Sequence, residues 1–391
     1  MDIRGLLLVN GETIGTPDQA PASALMGAMD VAGKSALERM AERMRQFGMA
    51  SISTVVETGP SFVVRDGVVR DGHARDTNFI TATPERFWRV AEAAFNEMAQ
   101  GGAELVVLVR LGAYTEPDFE RLVQFHLDRG ARVTQMSLGA ERLEIFCISA
   151  SRRNDAASLF RTQLARCRSD CPLLQLDGYF NSLAGPRELR QFAIDILTRK
   201  THTAPAGDEA RPGVWIASGA LVEKGARILA PAFVGAGARL RSGAVITRCS
   251  SIERHAEVDC GTIVENSTVL PFSYVGAGLD LGHSVAGMGR VANLRRDVDV
   301  AIPDPKLMDL MPATSGKRFL AAAAEMLIYL PRLVWQSAFT KAKTPEPALQ
   351  ATLRQVSPIA GEADDFETTP RKPEAAQEFP NMVVARRYGH Q

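Results

Sequence analysis

The chain has 391 residues, 46% of them hydrophobic, which is enough for two or three domains with packed cores. Lysine plus arginine number 45 and aspartate plus glutamate also 45, a balance that argues against nucleic-acid binding. The five cysteines form no C-x-x-C pair, so we expect reduced thiols, no metal site and a cytoplasmic protein. The apolar runs are too short for a membrane span.

Residues 1–200 alternate strand and helix patterns, and we assign them to one α/β domain. Apolar runs predict strands at residues 5–9, 52–57, 104–110, 132–138 and 143–149. Helices are predicted to begin at Ser35, Thr83, Pro117 and Pro186. The first of them opens with a capping box formed by Ser35 and Glu38, and Gly48 ends it. This alternation predicts a Rossmann-like, largely parallel sheet covered by helices, with ligands beyond the C-terminal ends of the strands.

After a predicted linker at 201–213, residues 216–275 repeat with a period of six. All ten blocks open with an aliphatic residue, namely Ile216, Val222, Ile228, Val234, Leu240, Ile246, Ile252, Val258, Val264 and Leu270. Position four is glycine in half of the blocks, and position five is mostly small. Such a period predicts a parallel β-helix over residues 214–300, with three short strands per turn and the aliphatic row pointing inward. We expect the register to slip after Val275.

Beyond the repeat, residues 301–340 are predicted to form an extension with an amphipathic helix. The apolar stretch 318–339 is interrupted by Pro331, which breaks or kinks a helix. It fits a helix packed along the β-helix, a peripheral membrane contact or a partner-binding segment. Residues 341–391 are rich in proline, glutamate, alanine and threonine, and this composition predicts a disordered tail.

Four phrases of the first 200 residues stand out in order: "LLLVNG", "VAGKSALERMAERMRQFGMASI", "LVRLGAYTEPDFERLVQFHLDRGARVT" and "DGYFNSLAGPRELRQFAIDIL". They resemble the opening strand, the V-x-G-K-P-L-L helix, the Gly-Asp segment and the G-Y-W-x-D segment of the sugar nucleotidyltransferases (NDP-sugar pyrophosphorylases), such as mannose-1-phosphate guanylyltransferase. The period-six repeat is similar to the hexapeptide repeat of left-handed β-helices. The resemblance spans residues 3–305 and implies a nucleotidyltransferase-like α/β domain followed by a left-handed parallel β-helix.

The resemblance implies a reaction in which a sugar 1-phosphate attacks the α-phosphorus of a nucleoside triphosphate. Basic side chains, a glycine-rich loop and Mg²⁺ would neutralise the phosphates. In this chain the loop retains Gly11, but Glu12 and Thr13 follow it and Gly15 stands where the family has arginine. The position of the family's lysine falls at about Met26. The basic part of the catalytic set is therefore missing.

The two metal-binding aspartates are missing as well. The family's Gly-Asp corresponds to Gly112–Ala113, and its second aspartate corresponds to Ser182. Three other carboxylates lie near these positions, at Glu116, Asp118 and Asp177. Glu116 and Asp118 fit the opening turn of a helix, where acidic residues are favoured.

These losses predict a catalytically degenerate relative with no catalytic residue, no metal and no cofactor. Gly11, Glu12, Thr13, Met26, Gly112, Ala113 and Ser182 would line a vestigial nucleotide or sugar cleft. The predicted function is a sugar-nucleotide sensor or a scaffold in polysaccharide biosynthesis, which would bind a nucleotide sugar or sugar phosphate. Its protein partner would be a second copy or a polysaccharide-synthesis protein. The alternative is an active nucleotidyltransferase with Mg²⁺ on displaced ligands.

A third function class comes from the repeat, because hexapeptide β-helices also form acyltransferases that use a histidine as general base. His255 and His283 lie in the repeat or just after it. His255 occupies position four of its block, a corner, and a contact between coils is the simpler interpretation of it. The acyltransferase is therefore the last of the three predictions.

Overall fold

The computed structural model describes residues 1–10, 27, 29–57, 77–150, 171–287 and 289–310. The α/β domain contains β1 (Ile3–Val9), β2 (Asp30–Val31), β3 (Lys34–Ser35), α1 (Ala36–Gln46), β4 (Ile52–Glu57), β5 (Thr77–Ala82), α2 (Phe87–Gln100), β6 (Leu105–Arg110), β7 (Tyr114–Thr115), α3 (Phe119–Asp128), β8 (Val133–Leu138), β9 (Glu141–Ser149), β10 (Leu173–Gln175), β11 (Phe180–Asn181) and α4 (Pro186–Leu197). All five strands and four helices predicted for this part are present, each within a few residues of its predicted place.

Seven of these strands form one mostly parallel sheet, in the order β10-β8-β9-β6-β1-β4-β5. Strand β1 is parallel to both β4 and β6, and the pairs β4–β5 and β8–β10 are also parallel. Strand β9 is antiparallel to both of its neighbours, β6 and β8. Only two residues, Gly139 and Ala140, separate β8 from β9, and a connection that short joins antiparallel strands.

The helices cover the sheet with apolar faces. The predicted capping box of α1 is present, because the Glu38 N–H donates to Ser35 Oγ at 3.2 Å and the Ser35 N–H donates to Glu38 Oε2 at 2.7 Å. Helices α1 and α3 contribute to the core on one face of the sheet, and α2 contributes to the core on the other. Thr83 opens a single 3-10 turn rather than the α-helix, which begins at Phe87.

The repeat region, residues 214–287, consists of short strands that enter three sheets in turn. They are β13 (Val214–Ile216), β14 (Leu221–Val222), β15 (Arg227–Ile228), β16 (Ala232–Val234), β17 (Arg239–Leu240), β18 (Val245–Thr247), β19 (Ser250–Ile252), β20 (Glu257–Val258), β21 (Ile263–Glu265), β22 (Thr268–Val269), β23 (Ser273–Val275), β24 (Asp280–Gly282) and β25 (Ser284–Gly287). Each strand from β13 to β22 pairs in parallel with the third strand after it. For example, Val214 of β13 pairs with Ala232 of β16, an offset of eighteen residues or three blocks. The period of six thus sets three strands per coil.

Most of the aliphatic row points inward, as predicted. Its members from Val234 to Val264 are fully buried in one core, together with small residues of position five such as Ala238 and Ala244. Val222 is an exception at 41% exposed, because it lies on β14, at the end of its sheet, with no coil beneath it. Glycines of position four have positive φ, for example 95° at Gly225, which is the freedom that these corners require.

The register slips earlier than predicted, before Val275 rather than after it. Val245 pairs with Ile263 at an offset of eighteen, whereas Ser251 pairs with Thr268 at an offset of seventeen. Val269 therefore takes the inward place that the sequence assigned to Leu270. Leu270 is fully buried in a different core, which the repeat region shares with the α/β domain. The repeat is thus one residue shorter at the point where the repeat region contacts the α/β domain.

The remaining elements extend the sheets of the repeat region. Strand β12 (Asp208–Arg211) pairs antiparallel with β13, so the predicted linker 201–213 contains a strand. Strands β26 (Arg290–Asn293) and β27 (Val298–Ala301) follow β25 as antiparallel neighbours, and β28 (Met308–Leu310) pairs with β23. None of the described helices is long and apolar enough to cross a membrane. The predicted helix at 318–339 and tail at 341–391 lie outside the described residues.

Candidate functional site

The structure places three of the predicted cleft residues in two adjoining segments, one of which follows the C-terminal end of β6. Gly112 and Ala113 form the loop between β6 and β7, and Ser182 follows β11. Strands β7 and β11 are antiparallel, with Asn181 paired to Tyr114, so Ser182 and Ala113 each lie one residue beyond a paired residue. Both side chains are half-buried. The two positions that the resemblance assigned to metal-binding aspartates therefore lie in adjoining segments, and neither carries a carboxylate.

The other four predicted cleft residues, Gly11, Glu12, Thr13 and Met26, lie outside the described residues. The residue before them, Asn10, is 3% exposed at the end of β1. Its Oδ1 accepts a hydrogen bond of 2.7 Å from Arg110 Nε at the end of β6. The Arg110 guanidinium also lies 5.5 Å from the centre of the Trp88 ring and 3.8 Å from Glu144. A buried arginine therefore lies at the strand ends, a feature that the sequence analysis missed.

Glu116, one of the three alternative carboxylates, accepts several hydrogen bonds from other residues of the chain. It is 2% exposed, and its oxygens accept hydrogen bonds from the backbone N–H of His202 at 2.8 Å and of Thr203 at 3.2 Å. Tyr114 Oη donates to it at 3.1 Å. Burial, followed by the Glu116 charge, raises the pKa of the Tyr114 phenol, so this hydroxyl remains a donor. Glu116 thus anchors the segment that leads into the repeat region.

The other two alternative carboxylates also have structural partners. Asp118 caps α3, because its Oδ1 accepts the Arg121 N–H at 3.0 Å. This confirms the interpretation of Asp118 as an acidic residue at a helix start. Asp177 is 84% exposed in its side chain and forms an ion pair of 3.1 Å with Arg121 Nη1. The described residues contain no group of three or more His, Cys, Asp or Glu side chains that could hold a metal ion.

The "VAGK" phrase forms a turn that binds a carboxylate of the repeat region. Strands β2 and β3 form a hairpin whose two-residue turn, Ala32–Gly33, has φ angles of 50° and 86°. The Ala32 N–H donates to Glu253 Oε1 at 2.8 Å, and the Gly33 N–H donates to Glu253 Oε2 at 2.9 Å. Adjacent N–H groups in such a turn form a concave anion-binding site. Here the anion is a side chain of the same protein.

A second polar contact joins the same two parts of the protein through α4. Arg190 is 2% exposed and donates to the carbonyl oxygens of Cys249 at 2.8 Å and Asn266 at 3.1 Å. The Nη2 atom of Arg190 also donates a hydrogen bond of 2.9 Å to Asn266 Oδ1. Burial lowers the pKa of Arg190 to about 10, so the guanidinium stays charged at neutral pH. No sequence pattern around Arg190 predicted this contact.

The two histidines considered for acyl transfer make contacts within the repeat region. His255 has φ of 54°, which confirms its place at a corner, and its ring stacks on Phe272 at 5.3 Å between centroids. A Cβ atom on Gly237 of the preceding coil would come within 2.5 Å of the His255 ring. His283 Nδ1 lies 2.7 Å from Asn266 Nδ2. Both geometries are those of contacts between coils.

Comparisons with known proteins give no family for this chain. No protein-family model matches the sequence. A search of curated proteins likewise finds no significant match. The structure therefore defines the class of protein only as a mostly parallel α/β domain joined to a region of short, mostly parallel strands in three sheets.

Proposed function

We propose that this chain is a catalytically degenerate sugar-nucleotidyltransferase-like protein, in which a left-handed parallel β-helix follows the α/β domain. It acts as a sugar-nucleotide sensor or as a scaffold for polysaccharide-building enzymes in the cytoplasm. The observation that carries the proposal is the pairing of Asn181 with Tyr114 across β7 and β11, which brings together the segments that contain Ser182 and Ala113. Two phrases far apart in sequence were matched to the family's metal-binding segments, and their key positions follow or precede these paired residues and carry no carboxylate.

The contacts of the three alternative carboxylates favour the hypothesis that catalysis was lost. They argue against the hypothesis that the metal site moved to these residues. Glu116 holds residues 202–203, Asp118 caps a helix and Asp177 pairs with Arg121. Recruiting Glu116 to a metal would break several buried hydrogen bonds, each costing about 1–3 kcal/mol. An active enzyme with relocated Mg²⁺ ligands remains the second candidate. The acyltransferase has the least support, since His255 is packed between Gly237 and Phe272.

The ligand of the sensor or scaffold would be a nucleotide sugar or sugar phosphate, bound in the vestigial nucleotide or sugar cleft. The repeat region would supply the surface for a second copy or for a polysaccharide-synthesis protein. The stretch 318–339 would add a peripheral membrane contact or a docking segment. These roles need no metal and no other cofactor.

The first test is Mg²⁺-dependent pyrophosphate release from a panel of nucleoside triphosphates with hexose 1-phosphates. We expect no turnover above a blank without protein, while calorimetry with nucleotide sugars detects binding. Turnover that Glu116→Ala or Asp177→Ala abolishes would establish the active enzyme instead. Absence of both turnover and binding would reject the sensor and leave the scaffold.

Restoring the missing carboxylates provides a test of the site geometry itself. The double variant Ala113→Asp with Ser182→Asp should bind Mn²⁺ at least tenfold more tightly than the original chain, because two adjacent carboxylates provide hard oxygen ligands. Electron paramagnetic resonance of free Mn²⁺ measures this directly. The matched controls are the two single variants, which should bind weakly. Equal affinity of the double variant and the original chain would show that the two positions do not form one site.

A further inference from the structure

A buried polar cluster joins the α/β domain to the repeat region, and two carboxylates lie at its centre. Asp30 belongs to β2 and Glu253 follows β19, and both are fully buried. The charged groups that interact with them come from three further places: Glu38 and Arg39 on α1, Arg190 on α4, and Arg254 next to Glu253. Glu42 on α1 interacts with Arg39. Two buried acids at one junction repel each other when both are ionised.

The two carboxylates differ in the donors that they receive. Each oxygen of Glu253 accepts a backbone N–H, from Ala32 and from Gly33. Asp30 Oδ2 lies 3.0 Å from Arg254 Nε, but Asp30 Oδ1 has no hydrogen-bond partner among the described residues. A buried carboxylate oxygen without a donor favours the neutral acid, since an ionised group is far costlier to bury than a neutral one.

The electrostatics of the cluster agree with this geometry. Burial raises the pKa of Asp30 to about 7, against the opposing effect of the Arg254 charge. Burial, and then the charge on Asp30, also raises the pKa of Glu253, whereas the two N–H donors lower it. Because Glu253 has two donors that favour its charged form, the pair keeps its proton on Asp30.

We propose that Asp30 is protonated in the closed junction, and that its ionisation loosens the contact between the Ala32–Gly33 turn and Glu253. The junction is then a pH-sensitive latch between the α/β domain and the repeat region. Folded Asp30 holds its proton more tightly than the unfolded chain does. Its contribution to stability is therefore fully present below the ordinary aspartate pKa and is lost as the pH rises through about 7.

The first experiment is isotope-edited infrared spectroscopy of the full chain with ¹³C-labelled aspartate carboxyl groups. We expect a protonated-carboxyl band at about pH 5.5 that disappears by about pH 8.5, well after ordinary aspartates have ionised. Asp30→Asn, which has the shape of the neutral acid, should remove this band. Hydrogen exchange at the Ala32 and Gly33 amides, corrected for intrinsic rates, should be at least tenfold faster at the higher pH in the original chain and unchanged in Asp30→Asn.

The matched variant is Glu253→Gln, which removes the neighbouring negative charge but keeps Asp30. In this variant the band should titrate at lower pH, because the repulsion that helps to keep Asp30 neutral is gone. The infrared measurement on the original chain needs no variant, so a variant that fails to fold does not block the test. Absence of the band near pH 5.5, or an identical pH dependence of amide exchange in Asp30→Asn, would overturn the proposal.

Discussion

Replacing Arg190 by methionine is expected to lower the free energy of unfolding by about 3 kcal/mol. The guanidinium donates to two backbone carbonyls and two side-chain oxygens of the repeat region, and methionine leaves these acceptors unpaired. Each unpaired buried acceptor costs about 1–3 kcal/mol, offset in part because the buried charge is also removed. Denaturant unfolding of the full chain measures the change.

Arg187 provides the matched control, since it lies one turn earlier on the same helix and also reaches the repeat region. Its bonds to Leu294 O and Asp297 are formed by a side chain that is 58% exposed. Arg187→Met should therefore change the free energy of unfolding by no more than about 0.5 kcal/mol. Equal losses in the two variants would show that the buried contact of Arg190 does not hold the two parts together.

Gly33→Ala is expected to destabilise the protein by about 2–5 kcal/mol. Gly33 has φ of 86°, and a Cβ atom there would lie 2.7 Å from both Phe233 Cζ and Ala206 Cβ. The substitution combines the cost of a left-handed alanine, about 1–2 kcal/mol, with overpacking of about 1–3 kcal/mol. It also disturbs the turn that binds Glu253. Thermal and denaturant unfolding both report the loss.

Gly48 separates the two contributions. Its φ of 93° is similar, but nothing lies within 4 Å of a Cβ atom placed there. Gly48→Ala should therefore cost only the backbone strain of about 1–2 kcal/mol. If Gly33→Ala were no worse than Gly48→Ala, the close approach of Phe233 to the turn would not be a tight contact.

The sequence indicated some local features around the predicted cleft, and the cleft itself stays a prediction. Sequence phrases pointed to Ala113 and Ser182, and the strands next to these residues, β7 and β11, pair with each other. The role of Asp118 at a helix start was likewise readable, because a helix cap depends on residues three positions apart. The sequence did not predict that Glu116 would anchor residues 202–203, since those partners lie more than eighty positions away.

The contact between the α/β domain and the repeat region also depends on residues that are far apart in the sequence. "VAGK" was matched as a phrase of a catalytic domain, whereas its turn binds Glu253, 221 residues from Ala32. The residues next to Glu253 and Arg190 in the sequence do not indicate that these two charged side chains are buried. Their burial follows from the meeting of two cores, and no local pattern records which residues will meet.

The sequence by itself determined the elements that depend on near neighbours: the capped helix at Ser35, the apolar strands and the period of six with its left-handed corners. Each of these follows from backbone conformation and side-chain alternation within a few residues. Tertiary structure alone decided the pairing of β9 with β6, the early slip that turns Leu270 toward the α/β domain, and the buried Asp30–Glu253 cluster. The physical reason is that strand pairing and charge burial are set by contacts between segments far apart in the chain, where the apolar surface of one part is covered by the other.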